Sequence, residues 1–274
     1  MQEWSKKLKK DAKTICLVPT MGYFHQGHIS LMEKGRSLCD ELVVSIFVNP
    51  AQFGPNEDFD SYPSDIDHDL KMAEQAGVTA VFLPCKEDIY PENFQTGIEL
   101  KHLPGFLCGR CRPGHFAGVA VIVTKLFNIV MPDVAVFGKK DYQQLQIIKQ
   151  MVKDLDFDIE IVAGEIIREK DGLAMSSRNT YLSDQQRKSA LSLSKSLEIA
   201  KKMTEQGEKN PSVIHRRIQE FINSFPETSI DYISFCDPET LEDIEEIKQP
   251  VLLAMAVRVG TTRLIDNAVI HPGQ

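Results

Sequence analysis

Two histidines and two glycines lie close together near the start of the chain, in an order that suits the binding of an anion. Residues 19–28 read Pro-Thr-Met-Gly-Tyr-Phe-His-Gln-Gly-His, between an apolar run at residues 15–18 and a helical pattern that begins at Ile29. Such a strand-to-helix turn presents unpaired amides and partial positive charge, and its glycines let a ligand approach the backbone. The turn therefore predicts a phosphate site with His25 and His28 as donors. The alternative is a turn that merely needs glycine.

Neutral amides and an arginine form two further candidate sites. Asn49 and Gln52 follow the apolar run at residues 42–48, and their amides can hold hydroxyls or carboxylates without a change of charge. An Asn-Pro turn that only ends a strand is the alternative. Arg112 lies in a glycine-bearing turn ahead of a helical pattern, where its planar fork suits a carboxylate or a phosphate. Taken alone, it is more simply interpreted as a surface arginine.

Two loops carry cationic and hydroxyl groups. Residues 138–144 read Gly-Lys-Lys-Asp-Tyr-Gln-Gln, where the lysines supply charge and Asp141 suits a ribose hydroxyl or a helix cap. Residues 175–179 read Met-Ser-Ser-Arg-Asn, and two hydroxyls followed by Arg178 suit phosphate oxygens, although this is also ordinary loop composition. Because four of the five clusters follow predicted strands and precede helices, we expect them along one rim of a sheet.

The elements between these clusters alternate between strand and helix. Nearly continuous apolar runs predict strands at residues 15–18, 42–48, 78–83, 134–137 and 159–162. Helical spacing predicts intervening helices marked by Leu31 with Leu38, by Ile66 with Leu70 and Ala73, by residues 119–130 and by residues 145–155. We expect Ser30, Asp65 and Asp141 in first helical turns. This order predicts an α/β fold with a parallel sheet and helices on both of its faces.

The pattern changes near residue 173. Residues 183–206 and 211–225 predict two helices. Closely spaced strands without intervening helices are then expected at residues 231–235, 251–257 and 263–269. We therefore predict a first domain over residues 1–173 and a smaller α+β domain over residues 174–274 that carries a short antiparallel sheet.

Composition excludes several classes of partner. The chain has 274 residues, 42% of them hydrophobic, and a formal net charge of -8, so its overall field repels nucleic acid and anionic membrane. No apolar run approaches the roughly 20 residues that span a bilayer, and residues 1–6 lack the apolar segment of a secretion signal. We expect a cytoplasmic protein whose small anionic substrate needs a local cationic site.

Six cysteines raise the question of a disulfide or a metal. Several lie in apolar runs, where a free thiol behaves as a small hydrophobe, and a disulfide framework is not expected. Cys108 and Cys111, together with the flanking His102 and His115, are four candidate metal ligands in the sequence. Irregular spacing and two adjacent arginines disfavour zinc, and the sequence gives equally little support to a redox dithiol. We therefore expect no metal site.

Taken together, the clusters make residues 19–267 resemble the pantothenate synthetase (pantoate–β-alanine ligase) family of the HIGH-signature nucleotidyltransferases. The matching segments are Pro-Thr-Met-Gly at 19–22 with His25 and Gly27-His28, Ser-Ile-Phe-Val-Asn-Pro-x-Gln-Phe at 45–53, Arg-Pro-Gly-His-Phe at 112–116, Phe-Gly-x-Lys-Asp-Tyr-Gln-Gln at 137–144, and Ser-Ser-Arg-Asn at 176–179. The resemblance implies a Rossmann-like domain, a smaller carboxyl-terminal lid domain and a homodimer.

The resemblance also implies a reaction. Pantoate would attack the α-phosphorus of ATP to give pantoyl adenylate and pyrophosphate, and β-alanine would then displace AMP to give pantothenate. Mg²⁺ would be carried by ATP oxygens and water rather than by a protein cage. Two alternatives stay open on sequence: a nucleotidyltransferase that adenylylates a phosphate, and a nucleotide-binding module without catalysis.

Site residues follow from the resemblance position by position. It implies catalytic roles for His25, His28, Lys140 and Arg178. It implies ATP binding by Met21, Gly22, Tyr23, Phe24, His25, Gln26, Gly27, His28, Gly138, Lys139, Lys140, Asp141, Ile167, Met175, Ser176, Ser177 and Arg178. It implies contacts with pantoate or β-alanine for Pro19, Met21, Asn49, Gln52, Arg112, His115 and Gln144. One departure is Lys139, which stands where the family run normally has an acidic residue.

Overall fold

A computed structural model describes residues 1–55 and 57–272, and the chain divides into two compact units. Unit 1 comprises Met1–Lys101, Arg112–Lys139 and Gln144–Ile167. Unit 2 comprises His102–Cys111, Lys140–Gln143 and Arg168–Gln274. The predicted domain boundary between residues 173 and 174 remains a prediction.

A parallel sheet forms the centre of unit 1. Among the described residues it has five strands, β1 (Ile15–Thr20), β2 (Glu41–Ile46), β3 (Ala80–Phe82), β4 (Val134–Gly138) and β5 (Glu160–Gly164). Their order is β3-β2-β1-β4-β5, so the chain moves outward from β1 in one direction and later returns to add β4 on the other side. In such sheets ligands bind beside the carboxyl ends of the strands where the order reverses, here between β1 and β4. The predicted α/β fold class is confirmed.

Both units contain helices. Their bounds are α1 (Gln2–Lys10), α2 (Gln26–Arg36), α3 (Ile66–Gln75), α4 (Lys86–Ile89), α5 (Leu107–Cys111), α6 (His115–Val130), α7 (Tyr142–Asp154), α8 (Asp184–Glu205) and α9 (Pro211–Asn223). Helices α1, α4 and α5 were not predicted from the sequence. Asp65, which was expected in a first helical turn, is the N-cap residue of α3, and its side chain accepts a hydrogen bond from the amide of His68.

Two details of the predicted helices are wrong. Leu38 lies beyond the end of α2 and is 46% exposed. Ser30 is not in the first turn, because α2 begins at Gln26 with a His25 cap. The helix predicted from Ile66, Leu70 and Ala73 is present as α3, although Ile66 and Leu70 are exposed. The buried residues of α3 are Asp69 and Ala73, so a carboxylate occupies the inward face in place of an apolar side chain.

Unit 2 is built around a second sheet. In its described residues, the strands β6 (Thr228–Cys236), β7 (Val251–Val259) and β8 (Thr262–Ile270) pair antiparallel in that order. The middle strand, β7, is buried on both faces except at Arg258. Apolar side chains of α8 and α9 complete the core against one face of the sheet. The predicted short antiparallel sheet is thus confirmed, and each strand extends one or more residues beyond its predicted limits where the apolar pattern was less regular.

Candidate active site at the carboxyl edge of the sheet

The turn between β1 and α2 is fixed by one buried carboxylate. Asp69 is fully buried, and its two oxygens accept hydrogen bonds from the amides of Tyr23 and Phe24 at 2.7 and 2.6 Å. Burial raises the pKa of Asp69, and the two amide bonds oppose that shift. Gly22 adopts a φ of +86°, and a Cβ there would lie 2.9 Å from an Asp69 oxygen. Glycine is therefore required at this position both by conformation and by space.

The rings of His25 and His28 lie against each other at the start of α2, with centroids 4.1 Å apart and planes inclined by 35°. Nδ1 of His25 accepts from the amide of Gly27 at 3.1 Å, and Nδ1 of His28 accepts from the amide of His25 at 3.3 Å. A ring nitrogen that accepts a hydrogen bond carries no proton, so Nε2 carries the proton in each neutral ring. Each imidazole therefore uses Nδ1 within the turn and, when neutral, carries its proton on Nε2.

Gln52 is oriented by Asn49, which is only 1% exposed. Nδ2 of Asn49 donates to Oε1 of Gln52 and to the carbonyl of Gly118, both at 3.1 Å. Oδ1 of Asn49 accepts from the hydroxyl of Tyr90 at 2.7 Å; burial raises the pKa of Tyr90 to about 12, so this hydroxyl stays protonated at neutral pH. The amide of Gln52 then donates to the sulfur of Met21 at 3.1 Å. The structure thus brings two of the predicted clusters into contact, the one that follows β1 and the one that follows β2.

A close approach between α6 and the 3₁₀ turn Pro50–Gln52 sets the position of Gln52. A Cβ on Gly118 would lie 2.2 Å from the carbonyl oxygen of Ala51 and 2.8 Å from the amide nitrogen of Gln52. Both neighbours are backbone atoms, which cannot swing aside as a flexible side chain can. Any larger residue at position 118 would push the turn away.

Arg112 supports the same turn. Its guanidinium donates to both carboxylate oxygens of Glu57, at 2.6 and 2.5 Å, and to the carbonyl of Gln52 at 3.3 Å. Burial alone would raise the pKa of Glu57, but the hydrogen bonds and charge of Arg112 hold it at about 2. His115 lies between them, with Nε2 3.0 Å from Arg112 and Nδ1 2.7 Å from the carbonyl of Gln52. Arg112 and His115 therefore hold the backbone that carries Gln52.

The lysines after β4 have different surroundings. Lys139 pairs with Glu165 just beyond β5, at 2.5 Å. In unit 2, Nζ of Lys140 lies 3.9 Å from the carboxylate of Asp141, and the carbonyl of Lys140 accepts from Asn267 at 2.9 Å. The Lys139 side chain is the more exposed, at 39% against 22% for Lys140. The ion pair with Glu165 explains how a lysine is accommodated at position 139.

A charged network in unit 2 holds the loop that contains residues 175–178. Arg187 on α8 donates to Glu169 at 2.8 Å and to Asp171 at 2.9 Å. Glu169 also accepts from the Asn179 amide at 2.7 Å, while the same amide donates to the carbonyl of Ala174 at 3.0 Å. The hydrogen bonds from Arg187 lower the pKa of Glu169. These contacts tie both ends of the loop to one helix.

Within that loop the two serines differ. Ser176 caps the 3₁₀ helix Ser177–Tyr181, with its hydroxyl accepting from the amide of Arg178 at 3.3 Å. Ser177 is buried, at 6% exposure. The two hydroxyls that the sequence presented as equivalent thus have separate environments.

The predicted site residues fall into two sets. Unit 1 places one set at or near the carboxyl ends of its strands: Pro19, Met21, Gly22, Tyr23, Phe24, His25, Gln26, Gly27, His28, Asn49, Gln52, Arg112, His115, Gly138, Lys139, Gln144 and Ile167. Unit 2 contains the other set: Lys140, Asp141, Met175, Ser176, Ser177 and Arg178. Their individual roles remain predictions.

Sequence reasoning missed the residues that support the site, namely Asp69, Glu57, Tyr90, Glu169 and Arg187. Only Asp69 left a signal, since it lies four residues before the buried Ala73 on the inward face of α3. In the described part of the chain, no three His, Cys, Asp or Glu side chains are grouped so as to hold a metal ion. No described helix is both long and apolar enough to cross a membrane.

Comparison with known proteins identifies the family. A family model described as pantoate-beta-alanine ligase matches residues 1–269. The chain belongs to the pantoate–β-alanine ligase family. It is 59% identical to a ligase of this family, the pantothenate synthetase of Desulforapulum autotrophicum, over 274 residues that cover 100% of this chain and 97% of that protein.

Solved ligases of the family share the fold. The pantothenate synthetase of Thermus thermophilus aligns with a TM-score of 0.93 and 40% identity, covering 98% of each chain. The pantoate–β-alanine ligase of Francisella tularensis, complexed with beta-gamma ATP and β-alanine, aligns with a TM-score of 0.79 and 33% identity, covering 97% of this chain and 94% of that one. The family, the Rossmann-like fold and the ligase activity predicted from the sequence are confirmed.

Proposed function

We propose that the protein condenses pantoate with β-alanine at the expense of ATP, through pantoyl adenylate, with release of pyrophosphate and AMP. The observation that carries the proposal is the contact between Gln52 and Met21, 3.1 Å long. It places an amide suited to a hydroxy acid beside the turn that bears His25 and His28, whose amides and rings suit phosphate. An acid and a phosphate can therefore meet at this edge.

The chemistry needs alignment and charge neutralisation rather than a covalent nucleophile. A pantoate carboxylate oxygen bonds to the α-phosphorus as the bond to pyrophosphate breaks. The amine of β-alanine then bonds to the acyl carbon as AMP leaves with the electron pair of the broken C–O bond. Positioned donors and cations supply most of the rate enhancement in such transfers.

Residues of unit 1 take distinct parts in this scheme. Nε2 of His25 and of His28 donate to phosphate oxygens, because Nδ1 of each ring is used within the turn. Gln52 holds pantoate, together with Gln144 on α7. Asn49 orients Gln52, since the Asn49 amide is already engaged by protein groups.

Residues of unit 2 supply further groups for ATP. Lys140 and Arg178 neutralise phosphate charge, Asp141 holds the ribose, and Met175, Ser176 and Ser177 complete the set by family position. Cationic and imidazole side chains suit phosphate oxygens rather than Mg²⁺, which prefers oxygen ligands, so Mg²⁺ fits as an ion carried by ATP and water. We further propose a homodimer and a cytoplasmic location.

The direct test incubates the protein with ATP, Mg²⁺ and pantoate, with and without β-alanine, and measures pyrophosphate, AMP and pantothenate. Pyrophosphate release should require pantoate, and pantothenate should form only with both acids. His28→Ala and Lys140→Ala should each lower turnover ~10²-fold or more, the scale of one lost transition-state donor. The exposed His68 and Lys153 provide matched alanine controls. Normal turnover in both site variants, or pyrophosphate release without pantoate, would contradict the proposal.

A further inference from the structure

A second group of reactive side chains lies in unit 2, among residues that the proposed reaction does not use. It consists of Cys108 and Cys111 on α5 and of Asp231, Tyr232 and Arg263 on the antiparallel sheet. We call it the thiol cluster. Both of its cysteines are free thiols.

The sulfur of Cys108 lies beside a guanidinium and a phenol hydroxyl. Both terminal nitrogens of the Arg263 guanidinium lie 3.6 Å from it, and the Tyr232 hydroxyl oxygen lies 3.2 Å from it. Burial raises the pKa of Tyr232 well above its usual range, so its hydroxyl keeps a proton to donate. A guanidinium and a hydroxyl beside one sulfur are the kind of surroundings in which reactive cysteines are found.

The guanidinium is held in that position from its other side. Nε of Arg263 donates to Asp231 at 2.6 Å, and both side chains are largely buried, at 15% and 14% exposure. Arg258 contacts the same carboxylate at 3.3 Å but is half exposed. Asp231 fixes Arg263 within a water-poor setting, so solvent screens the guanidinium little, although the Asp231 carboxylate offsets part of its charge.

Cys111 lies within reach of Cys108. Residues three apart in an α-helix have Cα atoms about 5 Å apart, from the rise and radius of the helix. Disulfides join Cα atoms about 4.4–6.8 Å apart and Cβ atoms about 3.5–4.5 Å apart, so the short helix α5 must tighten by about 1 Å between the two Cβ atoms to close the bond. Cys111 is exposed whereas Cys108 is buried, so one thiol lies beside the guanidinium and the other is open to solvent. The intervening Arg110 donates to the carbonyl of Gly105 at 2.9 Å.

We propose that Cys108 and Cys111 form a redox-active dithiol that hydrogen peroxide oxidises to a disulfide. The oxidant is small enough to reach a sulfur with little exposure. This assigns to α5 a modification site that is independent of the ligase reaction.

The two steps balance. The Cys108 thiolate attacks one peroxide oxygen, the O–O bond breaks, and the departing hydroxide takes a proton to become water while Cys108 becomes a sulfenic acid. The sulfur of Cys111 then attacks that of Cys108, the S–O bond breaks, and the departing hydroxide leaves as water with the Cys111 proton. Overall, two thiols are oxidised to a disulfide and one hydrogen peroxide is reduced to two waters.

The test treats the reduced full-length protein with limiting hydrogen peroxide, alkylates the remaining thiols at intervals and identifies each cysteine by peptide mass spectrometry. Exposed Cys85 is an internal reference, because its hydrogen bond with Asp88 raises its pKa. The Cys108–Cys111 disulfide should form ~10-fold or more faster than Cys85 is oxidised. Arg263→Gln should slow its formation by a similar factor, whereas Arg258→Gln, which touches Asp231 but not the thiol, should leave the rate unchanged.

A second variant keeps the test decisive if Arg263→Gln fails to fold. Cys111→Ser removes an exposed thiol, so Cys108 should stop at the sulfenic acid, which dimedone traps. Its ligase turnover in the reduced state should equal that of the parent. Dimedone adducts spread evenly over Cys85 and Cys108, or peroxide treatment that yields no Cys108–Cys111 disulfide in the parent protein, would overturn the proposal.

Discussion

The two segments proposed to bind ATP phosphates are held by different physical means. The turn between β1 and α2 depends on one fully buried carboxylate, Asp69, that accepts two backbone amides. The loop in unit 2 depends on several partly exposed charges gathered on Arg187. A buried acceptor without a substitute costs far more to lose than a partly exposed ion pair does. The turn is therefore expected to be rigid and insensitive to salt, and the loop adjustable and sensitive to it.

The largest effect is expected for Asp69→Asn, which is nearly isosteric. Its amide keeps one accepting oxygen and faces the second backbone amide with an NH₂ group, so one donor of the turn loses its partner. We expect kcat/KM for ATP to fall ~10²-fold, as one unmet buried bond to a charged group costs a few kcal/mol. Steady-state kinetics test this, with the exposed Asp67→Asn on the same helix as control. Equal kcat/KM in the two variants would show that Asp69 does not position the turn.

Gly22→Ala should follow in size, and it separates backbone strain from collision. The left-handed φ and the contact with Asp69 together should cost about 1–3 kcal/mol of unfolding free energy. Gly207→Ala is the matched control, because Gly207 has a φ of +94° and no atom lies within 4 Å of its added Cβ. Chemical denaturation of both variants should show the larger loss at position 22. Equal losses of unfolding free energy in the two variants would mean that the contact with Asp69 adds no cost to that of the left-handed φ.

Arg187→Gln probes the loop with a smaller expected effect. Losing the contacts to Glu169 and Asp171 frees the loop, so KM for ATP should rise about 3- to 10-fold, the scale of about 1 kcal/mol. Raising the salt concentration should move the parent protein toward the variant, because partly exposed pairs are screened. The exposed neighbour Lys188→Gln serves as control. A KM for ATP that stays at the parental value would remove the loop from the proposed site.

Glu169→Gln should have the smallest effect, which is a change in the free energy of unfolding that depends on pH. The folded protein lowers the pKa of Glu169 below its ordinary value near 4.5, so ionised Glu169 stabilises the fold at neutral pH. That contribution is lost as the pH falls from above 4.5 through the lower folded value. The variant should be less stable than the parent at neutral pH by about 0.5–1 kcal/mol. Denaturant titrations should show the difference closing in acid, and a gap that widens would reverse the assigned sign.

The sequence predicted the central strands well because their burial is a local property, whereas β3 is shorter than predicted and only partly buried. Residues 15–18 and 134–137 are continuous apolar runs, and both lie in central strands buried on two faces. Helix α3 shows the limit of such patterns. Ile66 and Leu70 have helical spacing but point to solvent, because the inward face is occupied by Asp69. Periodicity in the sequence identifies a helix. It does not identify which face of that helix must carry a polar side chain for a backbone segment elsewhere in the chain.

Site residues were predictable by type and place, but not by partner. Polar residues after β1 and β2 could be located, since the carboxyl ends of parallel strands share an edge. That Arg112 pairs with Glu57, 55 residues earlier in the chain, could not be read from either segment. Nor could the sequence show that Asp69 accepts from the amides of Tyr23 and Phe24, which lie 46 and 45 residues before it. Such pairings depend on the packing of whole elements.

The place of β1 in the sheet bears on how the protein is made. β2 lies next to β1 and follows it soon in the chain, but the other edge of β1 pairs with β4, where Cys16 meets Val134. During translation, that edge exposes a row of unmatched amides and carbonyls until the segment around Val134 has left the ribosome. A nascent chain arrested before that point would present an apolar template for aggregation, which makes this interval the one in which a chaperone has most to protect.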